Sequence, residues 1–506
     1  MSQRSVPVIV GVGQLRRRPE LDGPFEPIEP AQLMVEAVKR AARDAGDPAL
    51  YEKADYVGTI SALAWAYEDT PARLAELLGA SPGLRHEPKP GGNSPPELVN
   101  HAAAAIARGE VRVAVLAGAE AVYARMRAAR EKLSLDHWSP RPERRFDVAL
   151  RGQPPMTSPL EQRHGFKMPT DIFPLYENAL RAHAGRSIEE HQAYLGRMMA
   201  RFSAVAARNP YAWFPRERSA EEFTTVSASN RWICFPYPKL MNAIMAVDMA
   251  AAVVLMSEEE AERRGIPRER RVAFLAGASA LDPWTPTERR QFVSSPGCTA
   301  VAHATLEHAG LGVGDVDLFD LYSCFPCAVE LGMAALGLAE DDPRPLTVTG
   351  GLPCAGGPGN AYCMHSIAAM VERLRSGEAA VGYVSGLGMS ASKHAANIFS
   401  TDPARIAAAD GETPHVQPPA EELTGPELVD APDGVGTIET YTVAFDRENR
   451  PETSRLIVRL DDGRRTVAHG EAHPSAFARL IEAEGVGLRG RVSAGPNGEP
   501  NRFELL

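Results

Sequence analysis

The sequence has few cysteines, no long apolar run and no cluster of basic residues, and each absence excludes a class of protein. Six cysteines in 506 residues are too few for the disulfide framework of a secreted domain, so we expect a reducing compartment. No uninterrupted apolar segment approaches the ~20 residues that a membrane span requires, and we therefore expect a cytoplasmic protein without a membrane partner. The net charge is −11, and the longest basic run is residues 16–18, which argues against nucleic acid as a partner.

Strand and helix patterns alternate along the first part of the chain. Residues 7–12 are almost wholly apolar, as in a strand buried on both faces, and residues 31–45 follow with helical spacing of apolar side chains. Strand patterns recur at 56–61 and 111–117. The helix between them is predicted to start with a capping box of Ser94 and Glu97 and with proline at its first position. Such alternation predicts a parallel sheet covered on both faces.

A second round of the same pattern begins near residue 272. It predicts strands at 272–278, 316–321, 346–349 and 379–385, and helices at 296–309, 329–338 and 361–375. The second half of the chain therefore repeats the architecture of the first. Between the two rounds, residues 235–256 have a helix-then-strand pattern.

The composition predicts five segments. Residues 1–122 with 232–270 form the first α/β half, and residues 123–231, rich in Arg, Pro, Trp and His, form a helical insertion that covers the sheet core. Residues 271–402 form the second half, and 403–424 have linker composition. Residues 425–506 alternate polar and apolar positions between turns, which predicts a small, barrel-like β-domain.

Residues 317–366 carry two loops with reactive or flexible residues. One predicted strand ends at Tyr322, Ser323 and Cys324, and another leads through GGLPCAGGPGN into a helix. Glycines let the backbone approach a ligand closely, and the start of a helix offers free N–H groups. Because ligands bind outside the carboxyl ends of strands in open α/β sheets, we expect the functional site at this edge.

Four motifs together resemble the thiolase superfamily. They are YSCF at 322–325, GGLPCAGGPGNAY at 350–362, GYVSGLGMSASKH at 382–394 and FPYPKLMNAIMAVD at 235–248. The likeness is closest to the thiolase-like proteins of type 1, which carry an extra C-terminal β-domain. It implies an α/β fold with a duplicated, layered α/β/α/β/α core, a helical insertion and the extra domain. It also implies acyl-CoA as the small-molecule partner, coenzyme A as substrate or carrier with no other cofactor, and either a homodimer or a monomer.

The resemblance places the family's nucleophilic cysteine at about Gly92, at the start of the first-half helix. No cysteine precedes Cys234 in this chain. Gly92 and Asn93 are therefore candidates for binding substrate rather than for attacking it. Covalent acyl-enzyme chemistry requires an activated nucleophile, so ordinary thiolysis is not expected.

The resemblance also places the histidine of the family's GHP turn at Gly357 of GGP. Backbone N–H groups of the bend at Gly356 and Gly357 are predicted to form an oxyanion site for the thioester carbonyl. With Asn360, these residues complete the predicted substrate-binding set.

Three side chains are candidates for catalysis. Cys324 matches the proton-transferring cysteine of sterol-carrier thiolases, and a buried structural thiol is the equally weighted alternative. Tyr322 stands where that group has a histidine, and His394 lies beside the expected edge. Cys324 and Cys327 form a single C-x-x-C pair, which is poor support for a metal, and no metal site is predicted.

These residues predict a thiolase-superfamily protein that acts on or binds acyl-CoA thioesters, similar to an acetyl-CoA acetyltransferase but without the usual nucleophile. Two alternatives stay open. One is a CoA-ester aldolase or lyase, in which Cys324 or Tyr322 moves a proton. The other is a non-catalytic protein that binds CoA esters or serves as a scaffold.

Overall fold

A computed structural model describes residues 5–142 and 152–506. The part of the predicted insertion at 143–151 lies outside the described residues. The strands are β1 (Pro7–Arg16), β2 (Tyr56–Ile60), β3 (Leu84–His86), β4 (Val113–Ala121), β5 (Trp232–Cys234), β6 (Tyr237–Pro238), β7 (Asp248–Ser257), β8 (Val272–Leu281), β9 (Leu318–Asp320), β10 (Val381–Gly388), β11 (Lys393–Ser400), β12 (Asp433–Phe445), β13 (Pro451–Leu460), β14 (Arg465–Gly470), β15 (Arg489–Ser493) and β16 (Arg502–Leu505).

The helices that the structure describes follow in chain order. They are α1 (Pro19–Asp22), α2 (Pro30–Asp44), α3 (Thr70–Leu78), α4 (Ser94–Ala107), α5 (Val122–Glu131), α6 (Pro159–Arg163), α7 (Pro169–His183), α8 (Ile188–Arg208), α9 (Ala220–Thr224), α10 (Glu258–Arg263), α11 (Pro296–His308), α12 (Pro326–Leu336), α13 (Leu352–Ala355), α14 (Tyr362–Arg375), α15 (Pro403–Ala408), α16 (Ala420–Leu423) and α17 (Pro474–Glu482). Short 3-10 turns include Lys239–Met241, Pro286–Glu288 and Gly359–Ala361.

The core is built on one mixed sheet with the strand order β3-β2-β4-β7-β1-β8-β11-β10-β9. β2 is parallel to β3 and β4, and β9 is parallel to β10, as predicted. The prediction of a wholly parallel sheet is wrong, because β7 and β11 run antiparallel to both of their neighbours. β11 follows β10 after four residues, and so short a connection can join only antiparallel strands.

The sheet contains two copies of one arrangement that meet where β1 pairs with β8. The order β1-β7-β4-β2 in the first half is matched by β8-β11-β10-β9 in the second. The predicted strand at 346–349 does not form. Its N–H groups at Val348 and Thr349 donate to the carboxylate of Asp320 instead of to a neighbouring strand. The predicted repeat of the architecture is otherwise present.

Helices α4 and α14 lie between the two halves of the sheet and pack on strands of both. Apolar side chains of α4, such as Leu98 and Val99, share one buried cluster with Met364 and Ile367 of α14. Helix α2 covers the outer face at β1, β4 and β7, and α11 covers it at β8 and β11. This gives the predicted α/β/α/β/α layers.

Two glycines in β1 allow α2 to pack directly on the strand. A Cβ added at Gly11 would lie 2.2 Å from the carbonyl oxygen of Ala41, and one at Gly13 would lie 2.1 Å from that of Ala37. No side chain fits in this contact. The GVG sequence of the first strand is therefore a packing requirement of the sheet core.

Strands β12 to β16 form a closed five-stranded barrel in the part of the chain from 433 to 505. The order is β13-β14-β16-β15-β12, and pairing of β12 with β13 closes the ring. Strand β5 adds to β12 through the pair Cys234 and Ala444, so the barrel is joined to the core. The predicted barrel-like domain is present, while the exact domain boundaries stay a prediction.

Two local predictions are wrong. At 235–256 the predicted strand forms as β7, but the helix before it is reduced to the turn Lys239–Met241, since Pro236 and Pro238 interrupt any longer helix. At α4, Ser94 is the first helical residue and Asn93 occupies the N-cap position, so no capping box of Ser94 and Glu97 forms. Within 5–142 and 152–506, no helix has both the length and the apolar character needed to cross a membrane.

Replacing Arg465 with alanine should loosen the barrel from the core. Its fully buried guanidinium pairs with Glu439 and donates to the carbonyls of Thr287 and Arg290. Removing it leaves the buried Thr287 carbonyl without this donor and takes one of two arginine partners from Glu439, which still pairs with Arg459. We expect a loss of about 3 kcal/mol in the free energy of unfolding, measured by urea denaturation. The neighbouring Arg464→Ala removes only a half-exposed pair with Asp462 and should leave the free energy of unfolding nearly unchanged. Equal losses in the two variants would contradict this assignment.

Candidate active site

The start of α4 forms the floor of the predicted site. The Asn93 amide donates to Glu97 Oε2 over 2.9 Å, and the Ser94 hydroxyl donates to the Lys89 carbonyl over 2.8 Å. These bonds explain Ser94 as a structural residue. The first turn of the helix lies below the loops after β9 and β10, so Gly92 and Asn93 lie at the edge of the sheet where the sequence predicts the site, and their role in binding stays a prediction.

Tyr322 occupies the space that a side chain at position 92 would need. A Cβ added at Gly92 would lie 2.1 Å from the Tyr322 hydroxyl oxygen and 2.4 Å from the Leu387 carbonyl oxygen. Tyr322 is 8% exposed, and its ring packs edge-on against Tyr362. Gly92 and Tyr322 are therefore complementary in shape: the tyrosine fits only because position 92 has no side chain.

Two cysteines lie at the same place. The Cys363 thiol donates to the carbonyl of Gly92 over 3.1 Å and to that of Ser385 over 3.5 Å. Cys324 lies close enough to affect the pKa of Cys363. Sequence reasoning named Cys324 but gave Cys363 no role, because Cys363 lies inside the helix rather than in the motif loop.

Both thiols are protonated at neutral pH. Burial raises the pKa of Cys324 and that of Cys363 well above the ordinary value for cysteine. Burial also raises the pKa of the Tyr322 phenol. The three groups can donate protons or hydrogen bonds, but in this state they do not act as bases or as anionic nucleophiles.

The glycine-rich bend at Gly356 and Gly357 is enclosed by the insertion. A Cβ at Gly356, whose φ is +104°, would lie 3.0 Å from Trp213 Cβ. The Gly357 N–H already donates to the Ile244 carbonyl over 2.9 Å. The oxyanion donor predicted at Gly357 is thus not free in this structure. The reason is that the segment just before β7 uses this bend as a backbone partner, which the motif alone did not indicate.

Asn360 joins the bend to the first half of the core. Its amide donates to the Ser61 carbonyl over 3.0 Å. Next to it, the buried carboxylate of Glu120 accepts from the N–H groups of Leu63 and Ala64. Asn360 therefore has a local structural partner at the active edge, and its role in binding stays a proposal.

His394 lies on the other face of the sheet from Tyr322. It pairs with Leu387 in β10, whereas the neighbouring Gly386 and Gly388 face Asn93. Its imidazole donates to the Ala391 carbonyl over 2.8 Å and to Asp282 Oδ2 over 3.2 Å. The structure therefore separates His394 from Tyr322 and Cys324. The sequence placed all three at one edge, but side chains alternate between the faces of a strand.

Asp320 is a buried residue at this edge that sequence reasoning missed. Its buried carboxylate accepts from the hydroxyls of Ser366 and Thr347 over 2.7 and 3.0 Å, as well as from the backbone at Val348. Burial raises its pKa. The sequence feature that could have identified Asp320 is a charged residue at the end of an apolar strand, in LFDLY at 318–322.

Lys393 was also missed. It lies 5% exposed on the same face as Gly388, where its amine donates to Lys89 O, Pro90 O and Gln153 Oε1 at 2.9–3.1 Å. Burial lowers its pKa to about 8. The lysine holds the loop before α4 against the β10–β11 hairpin.

Among the described residues, one group has the composition of a metal site. Glu177, His191 and Glu330 place ligand atoms within 4.8 Å of one another. His191 Nε2 contacts Glu177 Oε1 at 2.5 Å, and Tyr237 donates its hydroxyl to the other oxygen. Arg186 contacts the second ring nitrogen of His191, which favours a proton on Nε2. Hydrogen bonds therefore account for Glu177 and His191, while Glu330 Oε1 is buried without a hydrogen-bond partner among the residues that the structure describes.

The comparisons with known proteins agree with this fold. The model of the thiolase-like protein type 1 additional C-terminal domain matches residues 415–496. The whole chain is similar to the crystal structure of a monomeric SCP2-thiolase like protein type 1 from Mycobacterium smegmatis. The TM-score is 0.81 at 33% identity, and the match covers 100% of both chains.

Curated relatives match over shorter stretches. The benzoylsuccinyl-CoA thiolase subunit BbsB of Thauera aromatica is 32% identical over 133 residues, which is 26% of this chain and 32% of the relative. The sterol carrier protein 2 of Rattus norvegicus is 26% identical over 167 residues, or 31% and 29% of the two chains. The chain thus spans about a third of the length of the curated relatives it matches.

Two further solved structures share the fold. They are an Ltp2-ChsH2(DUF35) aldolase, with a TM-score of 0.60 at 19% identity, and the acetyl-CoA acetyltransferase from Syntrophomonas wolfei, with a TM-score of 0.57 at 16% identity. Each match covers 79% of this chain and 98% or 100% of the other. At these identities the likeness concerns the architecture alone.

A methyl group at Gly92 should destabilise the protein by collision with Tyr322. We expect Gly92→Ala to lower the free energy of unfolding by about 1–3 kcal/mol, measured by urea denaturation. In the Tyr322→Ala background the same change should cost less, because the Tyr322 side chain that the new methyl group would contact is absent. Gly314→Ala is the control, since a Cβ there meets nothing within 4 Å. If the losses of unfolding free energy in the two single variants simply added in the double variant, the proposed contact between Gly92 and Tyr322 would be contradicted.

Stability should fall as pH rises through the titration of His394. Burial alone would lower its pKa, but the contacts with Asp282 and Cys298 outweigh burial and raise it from 6.5 to about 9. The stabilisation is present below pH 6.5 and lost as pH passes about 9, and we expect a loss of about 1–3 kcal/mol across that window. His394→Gln should abolish this loss, while the exposed His303→Gln should keep it. An unchanged pH profile in His394→Gln would show that another group titrates.

Proposed function

We propose, given that this chain belongs to the SCP2-thiolase-like protein type 1 family, that it binds an acyl-CoA thioester at the junction of Gly92, Tyr322 and Cys324. We further propose that no acyl-cysteine forms at this junction. The observation that carries the proposal is the Tyr322 hydroxyl in the space of a side chain at position 92. This observation argues against acyl transfer through a cysteine, the mechanism of an acetyl-CoA acetyltransferase.

The electrostatics of the junction support binding without covalent attack. A thiolate, not a thiol, attacks a thioester, and burial keeps Cys324 and Cys363 protonated. The Cys363 thiol is also engaged with the Gly92 carbonyl. Neither sulfur has a charged partner that would offset the cost of an anion.

The same junction is suited to polarising a carbonyl group. Tyr322 keeps its proton at neutral pH, because burial raises its pKa, and it presents that hydroxyl at the first turn of α4. The N-terminus of a helix carries partial positive charge. We infer that the thioester oxygen accepts a hydrogen bond from Tyr322, and that Cys324 is a second donor close by.

A cavity next to the junction has room for an acyl group. It measures about 380 Å³, and Met198, Phe202, Met333 and Leu346 supply apolar walls, with Arg197 and Arg201 also lining it. Phe202 separates it from the junction: a Cβ at Gly351 would lie 2.6 Å from the Phe202 ring and 2.9 Å from Ser323 Oγ. The cavity neighbours the junction rather than containing it.

Aldol-type cleavage or formation of a carbon–carbon bond is the second candidate. Two neutral donors, Tyr322 and Cys324, suit the protonation of an enolate. Forming that enolate needs a base, and Tyr322, Cys324 and Cys363 all retain their protons at neutral pH. This favours binding over catalysis as the first proposal.

The test compares acetyl-CoA, a longer acyl-CoA and free CoA with wild type and Tyr322→Phe, which keeps the ring. We expect acyl-CoA to raise the thermal midpoint and free CoA to raise it less. Tyr322→Phe should weaken acyl-CoA binding by about 0.5–1.5 kcal/mol, measured by calorimetry, and leave CoA binding unchanged. Tyr51→Phe, far from the junction, is the matched control.

Intact-protein mass spectrometry after incubation with acyl-CoA completes the test. No acyl adduct should form on wild type. An adduct lost in Cys324→Ala or Cys363→Ala would replace the proposal by covalent acyl transfer. No binding of any acyl-CoA at millimolar concentration would rule out the proposed site, and release of a shorter acyl-CoA would establish the lyase reading.

A further inference from the structure

A histidine and two glutamates from three helices meet where the insertion packs on the second half of the core. Glu177 lies in α7, His191 in α8 and Glu330 in α12. Each offers one ligand atom, a carboxylate oxygen or an imidazole nitrogen, and these atoms all lie within 4.8 Å of one another. Glu177 and His191 are 0% and 1% exposed. None of the three residues belongs to the proposed acyl-CoA junction.

Hydrogen bonds satisfy Glu177 but leave Glu330 incomplete. His191 Nε2 contacts Glu177 Oε1 at 2.5 Å, and the Tyr237 hydroxyl donates to Glu177 Oε2. Within the described parts of the chain, by contrast, the buried Oε1 of Glu330 has no hydrogen-bond partner. A buried oxygen without a donor is costly, and such atoms in native proteins nearly always have a partner. The group therefore lacks one electropositive partner at Glu330.

A cation is the partner that would let both carboxylates ionise. Burial and the neighbouring Glu177 carboxylate raise the pKa of Glu330 well above its usual range, so Glu330 keeps its proton at neutral pH. Burial opposes ionisation of Glu177 as well, but His191 outweighs it and lowers the pKa of Glu177. Arg186 does not supply the cation, because it contacts Nδ1 of His191 and pairs with Glu340.

We propose that Glu177, His191 and Glu330 form a binding site for one divalent transition-metal ion, with zinc as its representative. Two carboxylate oxygens and one imidazole nitrogen are ligands that Zn²⁺ takes in proteins, with a fourth position for water or another oxygen. Mg²⁺ prefers oxygen ligands alone. The inference goes beyond the proposed function, since it assigns a ligand of different chemistry to residues outside the junction.

Binding exchanges a proton for the ion. Glu330 releases its carboxyl proton and becomes the second carboxylate ligand. His191, which now directs an Nε2–H group at Glu177, frees this nitrogen for the ion and carries its proton on Nδ1 instead. The 3.4 Å contact of Nδ1 with Arg186 then opens, and Arg186 keeps its ion pair with Glu340. One proton therefore leaves the protein for each ion, and the charges of the ion and its ligands cancel.

A bound ion would fasten the insertion to the helix that follows the active edge. Helix α12 begins at Pro326, two residues after Cys324, and carries Glu330 on its second turn, while the other two ligands belong to the insertion. A route from solvent is present, because the cavity of about 380 Å³ reaches Tyr194 and Met333. Each of these lies three residues beyond a ligand on the same helix, and residues at this spacing are neighbours on a helix surface.

The surroundings of the two glutamates set the pH dependence of binding. The charged and titratable groups that act on them are Arg186, Glu340, His191, Tyr237 and Cys327. The tyrosine and the cysteine stay neutral, because burial raises the pKa of each. Since the ion displaces the proton of Glu330, affinity for the ion should rise as pH rises.

The experiment strips the full-length protein of metal with a chelator and titrates Zn²⁺ by calorimetry in two buffers of different ionisation enthalpy. We expect one ion bound per chain with release of about one proton, and a higher thermal midpoint when the ion is present. Affinity should rise about tenfold for each unit of pH near neutrality. Mg²⁺ at the same concentration should leave the thermal midpoint unchanged.

Glu330→Gln is the decisive variant, because its amide has the shape and the zero charge of the protonated carboxyl group. It should keep the fold and the thermal midpoint of the metal-free wild type and bind Zn²⁺ at least about tenfold more weakly. Asp341→Asn is the matched control. Asp341 lines the same cavity but is not one of the three ligands, so its removal should change the affinity by less than about twofold.

Three results would overturn the proposal. They are the absence of Zn²⁺ binding by the wild type, binding without proton release, and equal affinity in the wild type and Glu330→Gln, which would place the ion elsewhere. If Glu330→Gln does not fold, the stoichiometry and the proton release of the wild type decide. The acyl-CoA proposal is tested independently, since none of these measurements uses a CoA ester.

Discussion

The carboxylate of Asp320 is the interaction on which the active edge depends. It ends β9 and accepts hydrogen bonds from Val348, Thr349 and Ser366. Through these bonds a single buried group sets the path of the chain between β9 and α14. Asp320 takes the N–H groups of Val348 and Thr349, which therefore do not form a strand, and the following glycines lie against the insertion. Tyr322 and Cys363, which flank these bonds in sequence, are thereby brought to the first turn of α4.

The contact between Gly92 and Tyr322 then decides what the edge can do. The resemblance places a nucleophilic side chain at the start of α4, at position 92. In this chain a tyrosine from the other half fills that volume. The two buried thiols beside it lack a cation that would stabilise their anions. The edge therefore presents neutral donors, which is the property expected of a site that polarises a carbonyl without attacking it.

The β10–β11 hairpin separates two environments. On its inner face Gly386 and Gly388 contact Asn93, beside the buried amine of Lys393. On its outer face His394 meets Asp282 and Arg289 and carries a charge at neutral pH. Strand geometry alone produces this division, since adjacent residues point to opposite sides.

Much of the fold followed from the sequence, because apolar periodicity and glycine placement are local properties. The strands at 7–12 and 272–278, the helices at 296–309 and 361–375 and the barrel after 425 were predicted from such patterns and are present. The sequence alone also shows that no cysteine precedes Cys234. Pairing direction, the loss of a strand to Asp320, the use of Gly357 by Ile244 and the face occupied by His394 were not predictable in this way. The contacts of Asp320 with Val348 and of Gly357 with Ile244 join residues more than 25 positions apart along the chain, and only the tertiary fold brings such partners together.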